Sequence, residues 1–326
     1  MTLPTISRRH RWLRVTLPAL FAIIMLACFL PAKPAQTVGD IPAPIEKMTA
    51  MQAVVLGVVE GVTEYLPVSS TGHMLLANQF LGIGKTPEEK TALEAYIIII
   101  QAGAILAVLL IYWGRVKKMV AGIFGKDADG RRLALNTLIA FFPAAVIGII
   151  FNEKIKEWLF GTWPVVIALF IGGLAIIFFS RKPQGDGATP AGTALEEMTW
   201  KQAVGIGLMQ CIAMWPGTSR SLMTIVGGLV VGLSVAAAVE FSFLLGLVTL
   251  GAATLYDLAK GGKEIVTQFG IVNPLIGFLV AGIAAFVSVK WMVGYLNKHS
   301  LAVFGWYRVA VAGIFIVLIL MGLLKV

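Results

Sequence analysis

Charge is what this sequence has least of. Of its 326 residues 13% are Asp, Glu, Lys or Arg, against about 25% in a water-soluble domain. Hydrophobic residues make up 58%, and apolar segments long enough to cross a bilayer recur along the chain. That recurrence excludes the two soluble domains the length would otherwise allow. Cysteine is nearly absent as well. Cys28 and Cys211 both lie in apolar segments, which excludes a disulfide framework. Acids are outnumbered, 17 against 26 Lys and Arg, for a net charge of +9. The basic residues fall in short loops between apolar segments. That is the positive-inside pattern of a membrane protein, and it argues against a nucleic-acid partner. The fold class expected is therefore an all-α polytopic membrane protein in a lipid bilayer.

Taken in order, residues 1–36 carry Arg8, Arg9, Arg11 and Arg14, an apolar run from Val15 to Leu30 and a small-residue exit. This reads equally as a secretory signal peptide or as an uncleaved anchor. Met25-Leu26-Ala27-Cys28 is a poor lipobox, so lipidation is discounted. Residues 37–49 form a polar linker. Spans are expected near 92–112, 133–151, 163–180, 235–256, 274–292 and 302–324. The R-V-K-K run with Lys126, Arg131 and Arg132 is the densest basic loop and is assigned to the cytoplasm. Counting from it, loops 152–161 and 257–273 lie outside, and 181–201 and the Lys298–His299 loop lie inside.

Before the first span stands the stretch G-V-V-E-G-V-T-E-Y-L-P-V-S-S-T-G-H, Gly57 to His73. It is as apolar as a membrane helix yet carries Glu60, Glu64 and His73. An ionised side chain at a helix centre costs roughly 2.5–3.5 kcal/mol on insertion scales, so such groups mark function by default. By the charge count this stretch enters and leaves from the outer side. A second broken stretch echoes it: Gln52-Ala53-Val54 by Gln202-Ala203-Val204, Gly57 by Gly207, and Glu60 by Gln210. After a one-residue gap, Pro67 matches Pro216, and the hydroxyl run matches Thr218-Ser219-Arg220-Ser221. The reading is an inverted repeat, residues 50–180 and 202–326, with a cytoplasmic loop 181–201 between. Paired Pro/Gly-interrupted segments at matching positions point to a site where the repeats meet.

The residue types suit one chemistry. Glu60 and Glu64, at i and i+4, share a helix face. Two carboxylates that close call for a hard divalent cation, Mg²⁺ or Ca²⁺, or else for one protonated, hydrogen-bonded acid. Ser70 and His73 are a candidate nucleophile and base; for Ser69 a turn-stabilising hydroxyl is the simpler reading. Arg220 offers a fork for phosphate oxygens beside Gly217, where the backbone can approach closely. An ion pair from Arg220 to Glu60 or Glu64 is compatible with that role. Glu94, Glu240 and Arg308 are read as structural partners within the bundle. His10 and His299 are read as solvated.

The Gly57–His73 stretch, W-P-G-T-S-R-S and E-F-S-F-L-L from Glu240 resemble the signatures of the undecaprenyl-diphosphate phosphatase family, the bacitracin-resistance proteins, over residues 50–326. The resemblance implies six spanning helices plus two inverted re-entrant helical hairpins in the bacterial inner membrane, with the site opening to the periplasm. It implies hydrolysis of undecaprenyl diphosphate to undecaprenyl phosphate and inorganic phosphate, which recycles the cell-wall lipid carrier. The implied functional residues are Glu60, Glu64, Ser70, Thr71, His73, Ser219 and Arg220, with Mg²⁺ or Ca²⁺ as activator. In the preferred assignment Ser70 attacks phosphorus with His73 as base, Glu60 and Glu64 hold the cation, and Arg220 holds the phosphoryl; His73 as nucleophile is the other assignment. Two positions depart from the family pattern: Leu222 where glycine is usual and Val235 where arginine is common. S-T-G-H is also similar to the P-S-G-H of type 2 phosphatidic acid phosphatases, but no histidine follows Arg220 until His299. A polyprenyl-phosphate flippase or other inverted-repeat transporter is the alternative function. It would not need the Ser/His pair. A membrane scaffold would not need the buried acids.

Overall fold

The computed structural model describes residues 48–84, 86–159, 161–180, 192–269 and 271–324. The leader, most of the linker and residues 181–191 of the inner loop lie outside the described residues. Eleven α-helices follow in order: α1 (Ala50–Thr63), α2 (Ser70–Leu81), α3 (Pro87–Ile111), α4 (Trp113–Ile123), α5 (Ala128–Leu159), α6 (Thr162–Phe179), α7 (Trp200–Ile212), α8 (Arg220–Val230), α9 (Val235–Phe269), α10 (Val272–Leu296) and α11 (Ala302–Leu320). Six of them, α3, α5, α6, α9, α10 and α11, are long and apolar enough to cross a membrane. The chain is thus an all-α polytopic membrane protein, with no β-sheet among the described residues.

Two sequence expectations change. The R-V-K-K loop is helical, as α4, which packs against α5. The outer loops at 152–161 and 257–273 are mostly continuations of helix, since α5 runs to Leu159 and α9 to Phe269. Their Lys, Glu and Leu residues are good helix formers, so leaving the apolar layer does not end the helix.

Besides α4, the four helices that remain are short. α1, α2, α7 and α8 have 14, 12, 13 and 11 residues, where a crossing needs about 20. α1 doubles back onto α2 and α7 onto α8. Both pairs start the same way: Thr49 and Thr199 each cap with a capping box completed by Gln52 and Gln202. Each glutamine also donates across its hairpin, Gln52 Nε2 to Leu81 O (3.3 Å) and Gln202 Nε2 to Val231 O (3.0 Å). Ser69 and Ser219, the N-caps of α2 and α8, have φ of 76° each and are the only non-glycine residues with positive φ among those described. Every one of these pairs is 150 positions apart. The one-residue gap expected from matching Pro67 with Pro216 is therefore absent. Pro67 stands opposite Gly217, and Ser70 opposite Arg220.

Contacts follow the same exchange. α1 lies on α10 and α7 on α5, while α3 meets α9 and α6 meets α11. The two hairpin tips are enclosed by α3, α6, α9 and α11. Tyr65, Leu66, Val68, Leu222, Phe241 and Phe243 belong to one buried cluster between them.

Candidate active site

Helix α1 sets Glu60 and Glu64 one turn apart, and Glu64 closes it as C-cap. The chain turns through Tyr65–Val68 and re-enters helix at Ser70, where Ser69 caps by accepting from the Gly72 N–H at 3.3 Å. This turn carries Ser70 back over the end of α1. Its Oγ donates to Glu64 Oε2 at 2.6 Å. The side-chain amide of Gln101, on α3, lies on the same carboxylate, as does the carboxyl of Glu60. Glu60 is 1% exposed and Glu64 7%. Their desolvation is offset only by these neighbours and by one cation.

That cation comes from the other hairpin. Arg220 opens α8 and brings Nη2 to 3.8 Å from Glu64 Oε1. Its Nη1 donates to Ser242 O at 3.0 Å, and its guanidinium stacks over the Tyr65 ring at 5.4 Å. Nε and Nη2 are buried with no hydrogen-bond partner. A buried donor left without an acceptor costs on the order of 1–3 kcal/mol, more when charged, so two on one arginine call for an anion. The hairpins are tied beside it. Ser221 Oγ donates to Leu66 O at 2.9 Å and lies 3.0 Å from Ser219 Oγ, which in turn accepts from the Leu222 N–H at 3.3 Å.

The structure thus brings Glu60, Glu64, Ser70 and Arg220 together, with Glu64 between the hydroxyl and the guanidinium. Ser219 stands one residue away as a cap. His73 is buried and holds a different place. Its Nδ1 lies 2.7 Å from Ser69 O and its Nε2 2.6 Å from Tyr307 Oη, the two rings stacked within 6°. A carbonyl can only accept, so Nδ1 carries the proton and the neutral ring's Nε2 accepts from Tyr307. Ser70, expected to pair with His73, donates its hydrogen bond to Glu64 instead. Thr71 is exposed at the start of α2. Gly217 adopts φ of 93°, and its carbonyl accepts from Arg308.

Sequence reasoning missed Gln101, Tyr65, Ser242 and Tyr307. Only Gln101 left a signal, as a lone amide ending the run I-I-I-I-Q within a spanning segment. Glu94 is exposed, and Glu240 pairs with Arg115 at 2.6 Å, which also holds Glu196 at 2.8 Å. Leu222 is buried and fills space against Gly172. Val235 begins α9 beside Tyr112, Glu240 and Asn297. Seven residues short of Ser242, it is about 10 Å away along the helix at 1.5 Å per residue, so it is no neighbour of Arg220.

Gly217 offers a stability test. A Cβ there would lie 2.7 Å from Val165 O, on a backbone that L side chains rarely adopt. Gly217→Ala is expected to cost about 1–3 kcal/mol, read as a lower unfolding midpoint in detergent. An unchanged midpoint would show that the second tip is not held in this conformation.

Among the described residues no three His, Cys, Asp or Glu gather as a metal site. The donor set is the Glu60–Glu64 pair, two hard carboxylates with one guanidinium for compensation. It fits a divalent cation whose remaining ligands are phosphate oxygens.

Residues 53–314 match the profile of the bacitracin resistance protein BacA family. The chain belongs to the bacitracin resistance protein family. Curated relatives agree over most of their length. An undecaprenyl-diphosphatase of Sorangium cellulosum is 44% identical over 265 residues, 80% of this chain and 84% of the relative. Undecaprenyl-diphosphatase 2 of Rhodospirillum rubrum is 43% identical over 260 residues, 80% and 91% of the two chains. Undecaprenyl-diphosphatase 3 of Acinetobacter baylyi is 40% identical over 272 residues, 83% and 98%. All four grouped residues, Glu60, Glu64, Ser70 and Arg220, fall inside the family match.

Proposed function

We propose that this chain hydrolyses undecaprenyl diphosphate to undecaprenyl phosphate and inorganic phosphate, returning the lipid carrier to cell-wall synthesis and conferring bacitracin resistance. The observation that carries the reading is Arg220, with two buried donors unmet, facing a carboxylate that accepts the hydrogen bond of the Ser70 hydroxyl. A terminal phosphoryl held by that fork lies beside the Ser70 oxygen. Ser70 Oγ attacks phosphorus and passes its proton to Glu64. The bond between the terminal phosphorus and the bridging oxygen breaks, and undecaprenyl phosphate leaves. Water attacks the phosphoserine and gives a proton to the acid pair. The bond between phosphorus and Ser70 Oγ breaks, Glu64 returns to Ser70 the proton it took, and inorganic phosphate leaves, after which the acid pair releases the water's proton to solvent. Ser219 holds the turn that aims Arg220, and Gly217 lets that turn form. His73 fixes the Ser69 carbonyl and so the direction of Ser70. Thr71, at the exposed mouth, is placed to meet the rest of the diphosphate.

Glu60 and Glu64 would hold Mg²⁺ or Ca²⁺, whose charge screens the diphosphate oxygens against the acids. The family match and the basic loops support a bacterial inner-membrane location with α4 in the cytoplasm and the hairpin tip of Ser70 opening to the periplasm. The flippase alternative gains no support here, because transport alone does not need a hydroxyl set on a carboxylate. Purified protein in detergent is expected to release phosphate from undecaprenyl diphosphate, and a chelator is expected to reduce the rate at least tenfold. A folded sample that releases none with cation present would remove the phosphatase reading.

A further inference from the structure

Arg308 is the largest fully buried side chain in the described protein, and no carboxylate pairs with it. Four of its five N–H groups point at backbone carbonyls. Nη2 donates to Ala168 O and Gly217 O, both at 2.9 Å; Nε donates to Leu169 O at 3.3 Å; Nη1 reaches Pro67 O at 3.5 Å. Two of these acceptors, Pro67 and Gly217, are the matching residues of the two hairpin tips, 150 positions apart. One guanidinium therefore binds equivalent points of both half-sites. The other two acceptors belong to α6, the helix that lies against α11. Room for the group is made by Gly172 and Gly173, which follow Ala168 and Leu169 by one helical turn and leave those carbonyls uncovered. A Cβ on Gly172 would collide with Arg308 Nη2 and lie 2.8 Å from Leu222 Cδ2.

An unpaired cation in a membrane interior is costly and seldom serves packing alone. An apolar side chain would fill the same volume without that cost. What an apolar chain cannot do is bond two loops at once. We propose that Arg308 is a positioning residue that sets the spacing between the half-sites: Glu64 and Ser70 on one tip, Arg220 on the other. The inference rests on the phosphatase reading of that site. The fork shape is essential, because a guanidinium presents diverging N–H groups whereas an ammonium is a point charge. Displacing a reacting group by about 1 Å can cost on the order of 100-fold in rate.

Two variants test this from different sides. Arg308→Lys keeps the charge and loses the fork. Gly172→Ala keeps the arginine and pushes it. Both are expected to lower kcat about 10- to 100-fold per folded molecule, with KM changed less than about threefold. A second readout does not depend on activity. Spin labels at Thr71→Cys and Ile212→Cys, with Cys28 and Cys211 replaced by serine, are expected to give one narrow distance distribution that Arg308→Lys broadens. Folded variants that keep both the native kcat and the narrow distribution would overturn the proposal. So would a kcat that falls only in proportion to the folded fraction. If the parent protein releases no phosphate while the distribution still broadens, the spacing role stands and the phosphatase reading fails.

Discussion

Replacing Ser70 with alanine is expected to lower phosphate release about 1,000-fold or more, because the one hydroxyl among the described residues that is set on Glu64 is then gone. The loss should fall on kcat. Arg220 and Glu60, proposed to hold the phosphoryl and the cation, are untouched, so KM should stay within a few fold. Folding should hardly change. Ser70 is half-buried and gives up one hydrogen bond, worth about 1–3 kcal/mol to a charged acceptor. The covalent step has its own signature: acid-quenched wild type should carry phosphate on residue 70, and Ser70→Ala should carry none. Retention of a tenth or more of the activity, with phosphate recovered on His73, would move the nucleophile to the imidazole.

Arg220 carries the second large effect. Arg220→Met is expected to cost about 1,000-fold in kcat/KM, since it removes both unmet donors and the cation that the described residues set beside Glu64. Arg220→Lys should recover about tenfold of that. It restores the charge but not a fork that serves Ser242 O and a phosphoryl together. If Arg220→Lys matched wild type, the arginine would be acting through charge alone. If Arg220→Met did, it would have no part in the reaction.

Much of this site was legible in the sequence because its residues are misplaced by ordinary membrane physics. Glu60, Glu64 and Arg220 stand out against apolar surroundings, and the six spans announce themselves by length. The partners were not legible. Nothing in the order of residues says that Ser70 turns onto Glu64, because that depends on Ser69 taking φ of 76°, a choice made by tertiary packing. The repeat was visible, but matching proline with proline shifted its register by one, since Pro67 and Gly217 serve the same turn with different residues. The outer helix extensions were hidden because hydropathy reports the bilayer, not the end of a helix. Arg308 was recognised as a bundle residue. Its acceptors are carbonyls, which no sequence distinguishes.

The order in which the acceptors and donors are made has a consequence for biosynthesis. Glu60, Glu64 and Ser70 emerge early and Arg220 near two-thirds of the way along, but the guanidinium that joins their tips belongs to α11, the last helix. Ser69 and Ser219 hold backbone conformations that cost about 1–3 kcal/mol each, and until Arg308 is inserted the two turns that carry them lack the side chain that bonds both. On the proposed role of Arg308, a nascent chain halted before α11 would already contain Glu60, Glu64, Ser70 and Arg220 and is expected to release no phosphate until that last helix joins the two tips.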